Sequence, residues 1–125
     1  MPEQTDRSRI VILVVDGEVV ARNHTALTLH RDGYTVLAAA HGKEALDLSR
    51  TYQGRIDLLI TDLDVPKLDG LALCAAMASE RPELKVLATS ANEANAERAT
   101  HLRVPFLLKP LDPELLRQKF SELLN

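Results

Sequence analysis

Four polar residues in this sequence each stand directly after a short, mostly apolar run: Asp16, Asp62, Ser90 and Lys109. A continuous apolar run of this length is typical of a strand buried on both faces of a sheet. In open α/β sheets, reactive groups and ligands lie at the carboxyl ends of such strands. Two carboxylates, a hydroxyl and a lysine at one sheet edge would suit phosphoryl transfer to a carboxylate, because positioned cations and donors stabilise the charge on a transferring phosphoryl group.

Asp62 has the most informative context of the four residues. It is followed by Asp64, Pro66 and Gly70, so a loop is expected directly after the strand. Each of the four residues also has a plainer interpretation. The acids could serve only as helix N-caps, the serine as a turn hydroxyl and the lysine as a solvated surface residue.

Stretches of strand and helix character alternate along the chain and would position these residues. Strands are expected at Ile10–Val15, Tyr34–Ala38, Leu58–Thr61, Val86–Thr89 and Phe106–Leu108. The helices are expected to end at Gly33, to run from Gly42 to Gly54, and to cover residues 71–80, 92–101 and those after Asp112. This alternation predicts one α/β domain, residues 6–124, built on a five-stranded parallel doubly wound sheet.

Composition excludes several classes of protein. The length of 125 residues and the hydrophobic fraction of 46% favour one folded domain, and a net charge of −3 without a basic block argues against nucleic-acid binding. The polar start lacks the apolar core of a signal peptide, and no apolar run is long enough to cross a membrane. The lone Cys74 reads as a packing residue, and the four histidines show no ligand spacing. We therefore expect a cytoplasmic protein without a membrane segment.

The first helix has an unusual distribution of apolar residues. The positions expected to face the sheet carry His24, Thr25 and Thr28, while Val20 and Leu27 share another face. This pattern favours a thinly packed helix. The alternative is an apolar outer stripe used for self-association, so a homodimer is left open.

Several short patterns together resemble the receiver domain of two-component response regulators, and the resemblance covers nearly the whole chain. The matching segments are Val14–Asp16, Gly42–Leu46, Asp57–Asp62, Pro66–Gly70, Ser90–Ala91 and Lys109–Pro110. Each segment alone would be weak, but their order and spacing are specific. The resemblance implies a flavodoxin-like (CheY-like) (βα)5 strand order and a signalling role without enzymatic turnover.

The resemblance also implies a role for each candidate residue. Asp62 would accept a phosphoryl group from a sensor histidine kinase or a phosphotransfer protein, with Ser90 and Lys109 contacting the phosphoryl oxygens. Asp16, Asp62 and the backbone carbonyl of Asp64 would hold Mg²⁺, a cation that prefers hard oxygen ligands.

The resemblance implies two switch residues that transmit activation, Ser90 and Phe106. A plain core role for Phe106 is the equal alternative. A downstream protein would bind the face formed by the fourth helix, the fifth strand and the fifth helix. Pro110 would follow a cis peptide bond.

The sequence departs from the family pattern at two places. The family usually has two adjacent acids after the first strand, but here Gly17 follows Asp16, so one Mg²⁺ ligand is missing. The side chain of Asp64, or water, could replace it. Ser90 and Lys109 are also closer together than in most of the family, which predicts a shortened fourth helix and an altered output face.

Three hypotheses about function follow. The first is a phosphorylatable receiver. The second is a degenerate pseudo-receiver that binds partners without metal or phosphate, which Gly17 makes credible. The third is a phosphatase of the haloacid-dehalogenase type, because residues 62–65 match its Asp-x-Asp-x-Thr/Val motif. Nearly half of the chain precedes Asp62, which disfavours the third hypothesis.

Overall fold

The computed structural model describes residues 7–64 and 70–124 of the chain. A short 3₁₀ turn precedes five strands and five helices in strict alternation within these residues. The strands are β1 Val11–Val15, β2 Thr35–Ala39, β3 Leu58–Asp62, β4 Lys85–Ser90 and β5 Phe106–Leu108. The helices are α1 Val19–Arg31, α2 Gly42–Thr51, α3 Gly70–Glu80, α4 Glu93–His101 and α5 Pro113–Leu124.

All neighbouring strands are parallel, in the order β2-β1-β3-β4-β5, so the predicted flavodoxin-like doubly wound sheet is confirmed. Every residue of β1 and β3 is buried, which explains why β1 is wholly apolar and β3 is apolar up to Thr61. The chain reverses its direction of progress across the sheet at β1, and the crevice beside such a reversal is where open α/β sheets bind ligands.

Two apolar clusters fill the space on the two sides of the sheet. One contains Leu13, Leu59 and Met77 and packs against α2 and α3. The other contains Ile12 and Leu87 and packs against α1 and α5. Cys74 is buried in the first cluster, so its predicted packing role is confirmed. Among the described helices, none is long and apolar enough to cross a membrane.

Helix α1 buries part of the face that was predicted to meet the sheet. Thr25 and Leu29, one turn apart, are its buried residues, whereas His24 is exposed. The prediction was wrong for His24 because neighbouring residues on a helix point about 100° apart, and the i, i+4 pair decides which face is buried. Val20 and Leu27 are exposed as expected, Val20 with 72% of its surface accessible.

The same hydrogen-bonded cap ends two of the helices. At the end of α1, the Gly33 amide donates to the carbonyl of His30 and the Tyr34 amide donates to that of Leu29. This is a Schellman motif, and Gly33 has the positive φ of 100° that it requires. The end of α4 has the same two bonds, but there Arg103 takes the positive φ, at 61°.

Helix α2 is fixed at both ends by side chains. His41 is its N-cap and accepts from the Glu44 amide, so this histidine has a capping role that sequence reasoning did not assign. The helix ends at Thr51, three residues before the predicted stop at Gly54. The guanidinium of Arg81 donates to the carbonyl of Ser49 in the last turn of α2 and to those of Tyr52 and Gly54 beyond it. These carbonyls are satisfied from the far end of α3, so no glycine is needed to stop α2.

Candidate functional site

The candidate site lies at the carboxyl ends of β1, β3 and β5. Asp16 and Asp62 are buried, with 5% and 6% of their surfaces exposed, and both line an open cavity of about 810 Å³. Lys109 follows β5, and its amide donates to the Ser90 carbonyl at 2.8 Å, which extends the β4–β5 ladder to the edge of this cavity. The sheet thus brings four distant parts of the sequence together, as the positions of the strand ends predicted.

Lys109 connects the two buried carboxylates. Its Nζ lies 2.7 Å from Asp16 Oδ2 and 3.1 Å from Asp62 Oδ2. The remaining oxygens also accept backbone hydrogen bonds: Asp16 Oδ1 from the Glu18 amide at 2.9 Å, and Asp62 Oδ1 from the Asp64 amide at 3.0 Å. Both carboxylates are therefore held in a fixed orientation, with one cation shared between them.

Burial and pairing shift the protonation of this cluster. Burial raises the pKa of the Asp62 carboxyl above its usual value, and the Asp64 amide and Lys109 offset this only in part. Burial alone would lower the pKa of the Lys109 ammonium, but the hydrogen bond to Asp16 and the charges of Asp62 and Asp16 outweigh it, so the pKa is raised. At neutral pH, Lys109 is a cation that balances part of the negative charge of the site.

Ser90 and Asp64 form a second cluster beside the first. Ser90 Oγ donates to the carboxylate of Asp64, with oxygens at 2.8 and 3.0 Å, and accepts from the Asn92 amide at 2.9 Å. Asn95 Nδ2 donates to Asp64 Oδ1 at 2.9 Å and to Ser90 Oγ at 3.1 Å. Sequence reasoning missed Asn95, whose only signal was its place in the first turn of a helix that follows Ser90.

Phe106 lies apart from both clusters. It is half-buried in β5, opposite Ala88 of β4, and lines a separate cavity of about 490 Å³ with Thr100 and Lys119. Its predicted role as a switch residue stays a prediction. Lys109 and Pro110 are joined by a cis peptide bond, as the resemblance implied.

The donor atoms match Mg²⁺ in type but are few in number. Asp16 and Asp62 offer hard carboxylate oxygens beside the cavity, yet the described part of the chain contains no group of three metal-ligating side chains. The carboxylate of Asp64 already accepts from Ser90, Ala91 and Asn95. The described side chains could therefore supply two carboxylate ligands to Mg²⁺, and other oxygen ligands would have to complete its coordination.

The chain matches the family model of the response regulator receiver domain over residues 12–121. The response regulator MprA of Mycolicibacterium vanbaalenii is 34% identical over 117 residues, covering 91% of this chain and 50% of the relative. The chain thus spans about half the length of the curated relatives it matches.

Solved structures show the same fold. A response regulator receiver protein from Pseudomonas putida is 34% identical, with a TM-score of 0.79, and the match covers 91% of this chain and 97% of that one. Response regulator protein TrrA from Thermotoga maritima, solved in complex with Mg²⁺-BeF, is 25% identical with a TM-score of 0.79 over 91% and 98% of the two chains. Sequence and strand order agree over the same length, and the chain belongs to the response regulator receiver family of two-component phosphorelay signalling.

Proposed function

We propose that Asp62 is the phosphoacceptor of this receiver domain. The observation that carries the proposal is the pairing of a buried Asp62 carboxylate with Lys109 at the mouth of the cavity. An Asp62 oxygen would attack the phosphorus of a phosphohistidine on a sensor histidine kinase or phosphotransfer protein. The new P–O bond would form as the P–N bond breaks, and the imidazole would leave with the bonding electron pair.

The chain's own residues would orient and stabilise the transferred group. Lys109, a point charge on a flexible stem, can move from the carboxylate oxygens to a phosphoryl oxygen. The Asp64 amide fixes one Asp62 oxygen at 3.0 Å, while the other lies 3.1 Å from Lys109 Nζ. Mg²⁺, held by Asp16, Asp62 and the Asp64 carbonyl, would supply neutralisation of the phosphoryl charge.

The output surface proposed for the activated protein is the face formed by α4, β5 and α5. Three large apolar side chains in or next to these elements are exposed: Leu102 after α4, Leu108 in β5 and Leu115 in α5. Single exposed apolar residues are ordinary on a surface, but their presence at all three elements supports a protein partner there. The partner would be a downstream protein or a second copy of the chain. We place this signalling step in the cytoplasm.

The alternative functions predict different chemistry. Receiver domains of response regulators are generally not enzymes, and the family match over residues 12–121 disfavours the phosphatase hypothesis. The pseudo-receiver hypothesis is also not favoured by the similarity to response regulators. It would gain support if no aspartyl phosphate formed under any condition.

Asp62→Asn tests the assignment, because the variant keeps the shape of the side chain but lacks the nucleophile. After incubation with acetyl phosphate and Mg²⁺, we expect one added phosphoryl group on the parent by intact mass and none on the variant. Asp47→Asn, at an exposed position on α2, is the matched control and should label like the parent. Equal labelling of Asp62→Asn and the parent would exclude Asp62 as the acceptor.

A further inference from the structure

The hydroxyl proton of Ser90 already forms a hydrogen bond to Asp64 in this structure. A serine hydroxyl has one proton to donate. Ser90 is fully buried, and its Oγ donates to the Asp64 carboxylate, with both oxygens within 3.0 Å. The Asn92 amide and the Asn95 side chain donate to the same Oγ, so they occupy its lone pairs. Ser90 cannot donate to a phosphoryl group on Asp62 until it leaves Asp64.

Asn95 holds the same carboxylate from helix α4. It is buried, with 9% of its surface exposed, and its Nδ2 donates to Asp64 Oδ1 at 2.9 Å. The orientation of its amide is fixed, because the guanidinium of Arg98 donates to Asn95 Oδ1 at 2.9 Å. A chain of hydrogen bonds therefore runs from Asp64 through Asn95 to Arg98, along the first two turns of α4.

Asp64 joins this network to the acceptor carboxylate. Its backbone amide donates to Asp62 Oδ1 at 3.0 Å, while its side chain accepts from Ser90, Ala91 and Asn95. The same residue thus contacts the acceptor through its main chain and α4 through its side chain. Asp64 therefore provides a direct hydrogen-bonded route from Asp62 to α4.

We propose that Asp64 is an internal competitor of the phosphoryl group and holds α4 in its resting position. The inference rests on the proposed role of Asp62 and identifies how that site is regulated in this chain. A phosphoryl group on Asp62 and the carboxylate of Asp64 are both anionic acceptors for the single Ser90 proton, and they repel each other. When Ser90 turns to the phosphoryl group, Asp64 loses its strongest donor, and Asn95 with the start of α4 is released from it.

A double-mutant cycle on Asp64→Ala and Asn95→Ala tests the competition. Beryllofluoride with Mg²⁺ is the probe, and its apparent affinity is measured by amide NMR on the whole chain. We expect Asp64→Ala to increase the affinity about tenfold, the change that accompanies the loss of one hydrogen bond to a charged group. In the parent, Asn95→Ala should increase the affinity for beryllofluoride less than Asp64→Ala does. In the Asp64→Ala background it should hardly change the affinity, because the carboxylate that Asn95 contacts is then absent.

Two controls separate this network from a general charge effect. Glu18→Gln removes an exposed carboxylate at the rim of the same cavity without touching the network. Asp64→Asn keeps the shape of residue 64 and leaves its backbone carbonyl in place. The proposed competition between Asp64 and the phosphoryl group is wrong if Glu18→Gln raises the affinity for beryllofluoride as much as Asp64→Ala does. It is also wrong if the effects of Asp64→Ala and Asn95→Ala are additive.

The resting spectra give an answer that does not depend on the probe. Without beryllofluoride, Asp64→Ala and Asp64→Asn should shift the amides of residues 90–98 and the side-chain amide of Asn95. Unchanged resonances there would overturn the proposal while leaving the Asp62 assignment intact. If neither the parent nor any variant bound beryllofluoride, the assignment of Asp62 as phosphoacceptor would be wrong. The proposed role of Asp64, which depends on that assignment, would then be wrong as well.

Discussion

Lys109 determines the charge balance of the acceptor site at the scale of single residues. Its Nζ is within 3.1 Å of oxygens from both buried carboxylates, so one cation is shared between Asp16 and Asp62. A cation in this position offsets part of the repulsion between neighbouring carboxylates. Because Gly17 stands where the family usually has a second acid, Lys109 has one carboxylate fewer to balance.

The raised pKa of Asp62 predicts how stability changes with pH. Since burial raises this pKa in the folded protein, the unfolded chain loses its proton first as pH increases from about the ordinary value of 3.8. As pH rises from the pKa of Asp62 in the unfolded chain to its pKa in the folded protein, this residue lowers the free energy of unfolding. At higher pH the free energy of unfolding stays lowered by the same amount. Asp62→Asn removes this effect.

We expect Asp62→Asn to melt at a higher temperature than the parent at neutral pH in chelator. The difference should shrink as pH is lowered through the same interval, because both forms of residue 62 are then neutral. Thermal melts of both proteins across a pH series check this. If the difference in melting temperature between Asp62→Asn and the parent increased as pH was lowered, the assigned direction of the Asp62 pKa shift would be wrong.

Gly17→Asp restores the carboxylate that the family places beside Asp16. A Cβ at Gly17 would meet only the Ala40 carbonyl, at 3.7 Å, so the substitution should not strain the fold. Adding a third acid near Asp16 and Asp62 should lower the melting temperature in chelator through like-charge repulsion. Mg²⁺ should then raise it more than in the parent, because a ligand that binds only the folded state stabilises that state.

Gly17→Asn, which adds the same bulk without charge, is the control for this experiment. Mg²⁺ titrations followed by thermal melting distinguish the three proteins. If the parent already responds as strongly as Gly17→Asp, then water or Asp64 has replaced the missing ligand. If no protein responds, the pseudo-receiver hypothesis becomes the better account.

The sequence was sufficient to predict which residues meet at the first cluster but not at the second. Asp16, Asp62 and Lys109 follow buried strands, and the parallel sheet alone brings their main chains together. Asn95 depends on the side-chain directions of a helix and a loop, and no periodicity specifies those directions. The engagement of the Asp64 carboxylate was missed for the same reason.

At the scale of elements, the two Schellman caps show what the sequence could and could not predict. Gly33 was recognised as the end of α1 because glycine readily adopts positive φ. The end of α4 places Arg103 in the same role, and an arginine gives no such signal. Both helices nevertheless end with the same pair of backbone hydrogen bonds. The end of α2 was placed too late because Arg81, distant in sequence, satisfies its last carbonyls.

Arg103→Gly should stabilise the protein by roughly 1 kcal/mol, because it removes the cost of a side chain in the left-handed region. The reverse change at the matched cap, Gly33→Ala, should destabilise it by roughly 1–2 kcal/mol for the same reason. Denaturant unfolding with unchanged slopes gives both values. If Arg103→Gly lowered the free energy of unfolding, as Gly33→Ala is expected to do, then Arg103 would stabilise the protein through some other contact.

At the scale of the whole molecule, α4 belongs both to the network around Asp64 and to the proposed output face. It spans Glu93–His101, with Asn95 near its start and exposed Leu102 just after its end. Because the helix has only nine residues, we expect a displacement of its first turn to alter the proposed output face directly. Whether this helix is shorter than in most of the family stays a prediction from the sequence spacing.

Beryllofluoride with Mg²⁺ should shift amide resonances well beyond the cavity. We expect changes along α4 and at Phe106 and Leu108 of β5, as activation repacks this side of the sheet. Amides around Tyr52, at the far end of α2, should stay in place and serve as the internal control. Shifts limited to the neighbours of Asp16, Asp62 and Lys109 would mean that binding occurs without a switch.

Cys74 provides a natural chemical probe of how helix α3 packs. It is the chain's single cysteine and is nearly buried between α3 and the sheet, where it lines an open cavity, so the access of a thiol reagent depends on how closely α3 packs against the core. The rate of alkylation at this sulfur therefore reports on the packing of α3, the next helix after Asp62 in the chain. Occupation of the acceptor site that stiffens this region should slow the reaction, with no label added to the protein beforehand.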